Sequence, residues 1–107
     1  MTQPLTIILT SCDRFDLLTQ TMDSFFQLNT YPYSEFHVHN DSKKLIPQEI
    51  KTRYWDRKIT WHEGKKRGLS GAWDYLVGLV KTEYFFNIED DWLFNGNPDF
   101  IEQSILF

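Results

Sequence analysis

The spacing of apolar positions changes several times along the chain, and each change marks an element. Leu5 to Thr10 is a β-branched, apolar run that stops at the polar turn Ser11-Cys12-Asp13-Arg14, and it predicts a strand. Further strands are predicted at Glu35 to His39, ending at Asn40-Asp41-Ser42, and at Lys58 to His62, ending at Glu63-Gly64. A fourth runs from Glu83 to Ile88 into Glu89-Asp90-Asp91-Trp92. Its near-continuous apolar character is that of a strand buried on both faces.

Helical spacing fills the gaps. Phe15, Leu18, Met22, Phe25 and Phe26 form one i, i+3, i+4 stripe. Ile46, Ile50 and Tyr54 predict a shorter helix, with Pro47 suited to its first turn. Leu69, Trp73, Leu76, Val77 and Val80 give the clearest stripe, which places Trp73 in the core. Asn97-Pro98-Asp99 is a helix start signal leading into Phe100, Ile101 and Ile105. Strands alternating with helices predict an α/β fold: an open, mainly parallel, Rossmann-like sheet with helices on both faces. Ligands of such sheets bind beyond the carboxyl ends of the strands. Here the polar segments that follow all four strands gather at that edge.

Composition narrows the class. With 107 residues the chain is one domain, and 41% hydrophobic residues including nine Phe, five Tyr and four Trp argue against disorder. The single Cys12 rules out an intramolecular disulfide and a cysteine-based zinc site. The first residues carry no basic leader, and no apolar run approaches the roughly 18 residues of a membrane span. These features predict a soluble, cytoplasmic domain.

Charge adds a split. Between Lys43 and Arg67 lie nine basic residues against three acids, whereas the rest of the chain is strongly acidic, bringing the net charge to -4. Segregated solvated faces would produce this pattern, and so would a site that uses cations for phosphate and carboxylates for a bridging metal. Nucleic acid is disfavoured, because the acidic balance and the carboxylates at the strand ends oppose a phosphate backbone.

Glu89-Asp90-Asp91 is the strongest chemical feature. Three successive carboxylates after an apolar strand repel one another, and a hard divalent cation such as Mn2+ or Mg2+ relieves that cost. In an extended segment Glu89 and Asp91 point one way and Asp90 the other. A solvated acidic turn is the plainer alternative. The plainer readings also apply elsewhere: His37 and His39 share a strand face without a third ligand, and Lys43-Lys44 is a solvated loop. Cys12 has no His pairing that would make it a nucleophile, and Trp92 either shields a ligand or anchors the last helix. Neither a P-loop nor a G-x-G-x-x-G after the first strand occurs.

The stretch Gly64 to Asp74, followed by Lys81 to Asp91, resembles the GT-A nucleotide-sugar glycosyltransferases: a glycine-bearing helix, then a strand carrying the acidic "DxD" motif. The Glu-Asp-Asp form with Pro98-Asp99-Phe100 soon after it is similar to the N-acetylglucosaminyltransferase I type. Ile7 to Arg14 and Asn40-Asp41-Ser42 are placed as in that fold and in family 2 enzymes. The resemblance implies a UDP or UDP-sugar ligand with Mn2+ or Mg2+. It implies that Asp41 reads the base, that Thr10, Ser11, Cys12 and Arg14 border the nucleotide, and that Lys66 or Arg67 faces the base or phosphates. Asp90 would meet the ribose or sugar, Glu89 stands with the nucleotide-binding residues, and Asp91 would coordinate the metal. At position 68 related enzymes often place a side chain against the nucleotide, and here there is Gly68.

Against that family layout, residues 1–107 form a single donor-binding half without the usual acceptor-binding part, and no residue is assigned as catalytic base. The apolar Ile105-Leu106-Phe107 would pack on the sheet, on a partner or in a dimer. Three functions are consistent with this: a glycosyltransferase completed by an acceptor-binding region, a nucleotide-binding module without turnover, and an interaction domain of the same fold.

Overall fold

The computed structural model describes residues 4–94 and residue 101. Strand β1 (Leu5–Ser11) leads to α1 (Phe15–Leu28), then β2 (Glu35–Asn40), α2 (Gln48–Arg53), a 3-10 turn (Trp55–Arg57), β3 (Ile59–His62), α3 (Gly68–Leu79) and β4 (Tyr84–Glu89). The four strands form one all-parallel sheet in the order β3-β2-β1-β4. The predicted α/β class therefore holds, and every predicted strand falls within a residue or two of its observed bounds.

Topology places the helices. The chain steps from β1 out to β2 and β3, then returns past β1 to β4. Right-handed crossovers in opposite directions put their helices on opposite faces. On one face Leu18, Met22 and Phe25 of α1 pack with Leu5, Ile7, Leu9, Phe36, Val38 and Ile88 in the main core. Phe25 meets the Phe36 ring edge-on at 5.8 Å, a favoured aromatic geometry. Ile101 is helical and buried in the same core. On the other face α3 packs over β1 and β2 through Ala72 and Leu76.

Two sequence expectations fail. β4 is an edge strand among the described residues rather than one buried on both faces, so only Ile88 in it is fully buried and Phe85 is exposed. The buried face of α3 is set by Ala72 and by Leu76, a member of the predicted stripe, whereas two other members turn outward: Leu69 is 77% exposed and Trp73 is 40% exposed. A small residue lets the helix approach the sheet closely, and Ala72 at the contact turns Trp73 outward against Phe85. The predicted helix from Asn97 lies outside the described residues except for Ile101, and Ile105 to Phe107 lie outside them altogether.

Candidate functional site

β1 and β4 are neighbours, and a crevice lies at their carboxyl ends, where ligands of open parallel sheets bind. Thr10 is in register with Glu89 there. Asp90, just beyond, turns inward and is buried. Its Oδ1 accepts from Arg14 Nη2 at 2.6 Å and its Oδ2 from the Cys12 N–H at 3.0 Å. Thr21 Oγ1 donates to its carbonyl at 2.8 Å. One of the three carboxylates is thus neutralised within the protein. Asp91 differs: its side chain is 50% exposed, and among the described residues its ion pair is a long one, 3.7 Å to Arg14.

The loop between β1 and α1 is held in an unusual conformation. Asp13 has φ 59°, a left-handed value that non-glycine residues adopt at some cost. Its carboxylate accepts from the Ser42 hydroxyl, which ties the ends of β1 and β2 together. That hydrogen bond holds the Asp13 carboxyl below its usual range despite opposing desolvation. Burial pushes the Cys12 thiol up, so Cys12 contributes its backbone N–H rather than a thiolate. Ser11 Oγ and Arg67 Nε are buried with no partner among the described residues.

Asp41 ends β2 and organises the entry to α3. It accepts from the N–H groups of Arg67 and Gly68, the latter at 3.1 Å, and so does the work of a helix cap from another strand. Gly68 has φ +77° and Gly64 φ +96°, so the loop into α3 needs glycine at both positions. This explains Gly68: backbone conformation, not contact with a ligand, fixes the residue. Arg67 then lays its guanidinium over the Tyr75 ring at 3.8 Å. Lys66 is exposed beside it.

Behind Asp41 the histidines form a packed network. His37 Nδ1 and His62 Nε2 lie 2.9 Å apart, His62 Nδ1 and the Tyr75 hydroxyl 3.0 Å, and His39 Nε2 lies 3.4 Å from Asp41 Oδ1. Burial first, then neighbouring His37, His39 and Arg67, hold His62 below the ordinary imidazole value. These rings serve packing and hydrogen bonding, as expected for His37 and His39. No cluster of three metal-ligating side chains occurs among the described residues. The exposed Asp91 instead suits a hard cation that takes most of its oxygen ligands from a bound phosphate group.

The basic segment divides. Lys51 pairs with Glu63, Arg53 with Asp23 at 2.6 Å, and Arg57 lies over the Phe26 ring at 4.7 Å. Those three sit away from the crevice. Lys43, Lys44, Lys65 and Lys66 are exposed in the loops after β2 and β3, at the crevice edge. A cavity of about 480 Å³ between Asp23, Phe26, Arg53, Tyr54 and Arg57 is remote from the strand ends, and the Arg53–Asp23–Tyr54 cluster satisfies its polar groups. A smaller one, about 330 Å³, lies at the crevice between Thr10, Leu69, Ser70, Trp73, Asn87 and Glu89. Leu69 and Trp73 lay outside the sequence expectation for the site because the predicted stripe of α3 put them in the core.

No family model matches the sequence, and no curated protein matches it. Solved structures do match. The mannosyltransferase PcManGT from Pyrobaculum calidifontis, in complex with GDP-Man and Mn2+, superimposes with a TM-score of 0.79 over 98% of this chain at 16% identity. The fold is glycosyltransferase-like. S. aureus TarS 1-349 gives a TM-score of 0.75 over 96% of this chain at 13% identity, and its complex with UDP-GlcNAc gives 0.72 at 14%. This chain spans about a third of the length of each: 32%, 31% and 30%. Among the described residues no helix is long and apolar enough to cross a membrane.

Proposed function

We propose that the chain is the donor-binding portion of a GT-A glycosyltransferase, similar to family 2 and N-acetylglucosaminyltransferase I enzymes, and that it binds a UDP-sugar with Mn2+ or Mg2+. The observation that carries this is the division within the acidic trio: Asp90 is locked by Arg14 and the Cys12 N–H, while Asp91 beside it stays open. Asp91 holds the metal, which supplies charge stabilisation for the diphosphate leaving group. Thr10, Ser11, Cys12 and Arg14 border the nucleotide, Asp41 and Arg67 shape the base side, Lys66 faces phosphate, and Glu89 lies toward the ribose and sugar, while the buried Asp90 holds Arg14 and the Cys12 N–H in place rather than meeting the sugar itself. The unpartnered Ser11 Oγ and Arg67 Nε support a polar ligand at this edge. The acceptor and the catalytic base belong to the part of such enzymes that this chain does not span.

Calorimetric titration of UDP, with and without Mn2+, tests the proposal. Binding should need the metal and weaken at least tenfold in Asp91→Ala, about 1.4 kcal/mol by the relation between affinity and free energy. Absence of heat with UDP and with GDP under either condition would sink it. Metal-dependent UDP binding with no sugar release from UDP-sugars, even at high protein concentration, identifies the non-catalytic binding module instead.

A further inference from the structure

Three histidines meet among β2, β3 and α3, and their partners fix where the ring protons stand, because a carbonyl or carboxylate oxygen can only accept. His37 Nε2 lies 3.0 Å from the Glu35 carboxylate and so carries hydrogen. Its Nδ1 then accepts from His62 Nε2 at 2.9 Å, and His62 Nδ1 accepts from the Tyr75 hydroxyl at 3.0 Å. Each link has one donor and one acceptor, so His37 and His62 are satisfied as neutral rings.

His39 differs. Its Nδ1 faces the His62 carbonyl at 3.3 Å, and its Nε2 faces Asp41 Oδ1 at 3.4 Å, within ion-pair reach but outside hydrogen-bond geometry. Both nitrogens meet acceptors, so a neutral ring in either tautomer turns a bare lone pair toward an oxygen. The two side chains are almost wholly buried, 2% exposed for His39 and 5% for Asp41. A buried carboxylate needs a counter-charge, and among the described residues His39 is the one side chain within ion-pair distance of Asp41. Around the ring stand Thr10 in register on β1, the neutral His37 and His62, and Tyr75, whose ring lies 5.6 Å away and carries the Arg67 guanidinium. Of these only Arg67 opposes a positive ring, and the facing Asp41 favours it.

We propose that His39 is a buried imidazolium, protonated on both ring nitrogens at pH 7, whose charge holds the Asp41 carboxylate against the Arg67 and Gly68 N–H groups at the entry to α3. His39 is thus a positioning residue that acts through Asp41. Its effect on a bound base rests on the nucleotide function proposed above, whereas the ion pair is measured on the protein alone.

Long-range 1H–15N spectra of the ligand-free protein at pH 7 distinguish an imidazolium from either neutral tautomer. His39 should show two protonated ring nitrogens, and His37 and His62 one each; His39→Gln removes the His39 signals and so assigns them. Asp41→Asn keeps an oxygen that accepts from Arg67 and Gly68 but removes the charge, so His39 should fall to one protonated nitrogen while circular dichroism remains that of a folded protein. His39→Gln should also weaken Mn2+-dependent UDP binding about fivefold, equivalent to about 1 kcal/mol. A neutral His39 in the wild-type protein, or an imidazolium that survives Asp41→Asn, overturns the ion pair whatever UDP does. An imidazolium with unchanged UDP affinity in His39→Gln overturns the positioning role and leaves the nucleotide proposal standing. Failure of the wild-type protein to bind UDP sinks the nucleotide proposal and the effect on the base, while the spectra still decide the ion pair.

Discussion

Asp90 fastens the end of β4 to the start of α1, and a double-mutant cycle with Arg14 measures how strongly. The Asp90 side chain is 3% exposed and accepts from Arg14 Nη2 at 2.6 Å and from the Cys12 N–H at 3.0 Å. Hydrogen bonds to a charged group are worth about 1.5–3 kcal/mol each. Arg14 is 49% exposed, so solvent screens its share toward the low end, about 1.5 kcal/mol. Arg14→Met should therefore cost about 1.5 kcal/mol, and Asp90→Ala, which loses both acceptors and strands the Cys12 N–H, about 3 kcal/mol. The long Arg14–Asp91 pair, with both side chains half exposed, adds little. Once Asp90 is gone Arg14 has nothing buried to neutralise. The double variant should then be no less stable than Asp90→Ala alone, a coupling of about 1.5 kcal/mol on a total of roughly 5–15 kcal/mol. Urea unfolding of the four proteins reads this directly. Additivity of the two single changes to within about 0.5 kcal/mol would refute the anchoring role of the pair.

Two further outcomes follow from the loops around the crevice. Desolvation raises the Glu63 carboxyl, but hydrogen bonds from Lys51, the Ile46 N–H and Asn40 outweigh it and hold the group below its ordinary value of 4.5. A depressed carboxyl stabilises the fold above the unfolded value and loses that contribution as pH falls, so the stability gap between wild type and Glu63→Gln should be full at pH 7 and shrink steadily below about pH 4.5 in urea titrations. A gap that instead grows on acidification contradicts the sign. Gly68→Ala meets no atom within 4 Å yet must adopt φ +77°, so it should lower stability by about 1 kcal/mol through backbone strain alone. A neutral result in thermal unfolding would mean that the loop into α3 relaxes.

What was legible in the sequence depended on whether a signal is local. β1 and α1 could be read because period and burial agree: Leu5, Ile7 and Leu9 alternate, and Leu18, Met22 and Phe25 follow the helical repeat. The acidic trio stood out for the same reason, as did the gathering of polar segments at one sheet edge. α3 misled because hydrophobic size outranks small residues in any pattern reading, whereas Ala72 sets how closely the helix approaches the sheet. β4 misled because its apolar run says nothing about how many neighbours it has among the described residues. Asp41 capping Arg67 and Gly68 joins residues 26 and 27 positions apart, and the His37–His62–Tyr75 contacts span two strands and a helix. No local rule reaches contacts of that kind.

The charge split changes meaning for the same reason. Along the sequence the nine cations between Lys43 and Arg67 form one block, yet folding distributes them by partner. Lys51, Arg53 and Arg57 turn to Glu63, Asp23 and Phe26, which fasten α2 and the turn after it to their surroundings. The lysines of the two loops beyond β2 and β3, together with Arg67, are left to set the field at the crevice. The acids divide in the same way, because Asp90 already has a buried cationic partner in Arg14. Three adjacent carboxylates are therefore one structural group between two that face outward, Glu89 into the cavity and Asp91 into solvent. That division explains how the fold tolerates three adjacent carboxylates. It also limits any cation at Asp91 to few protein ligands, so its affinity should rise steeply when a diphosphate supplies the remaining oxygens.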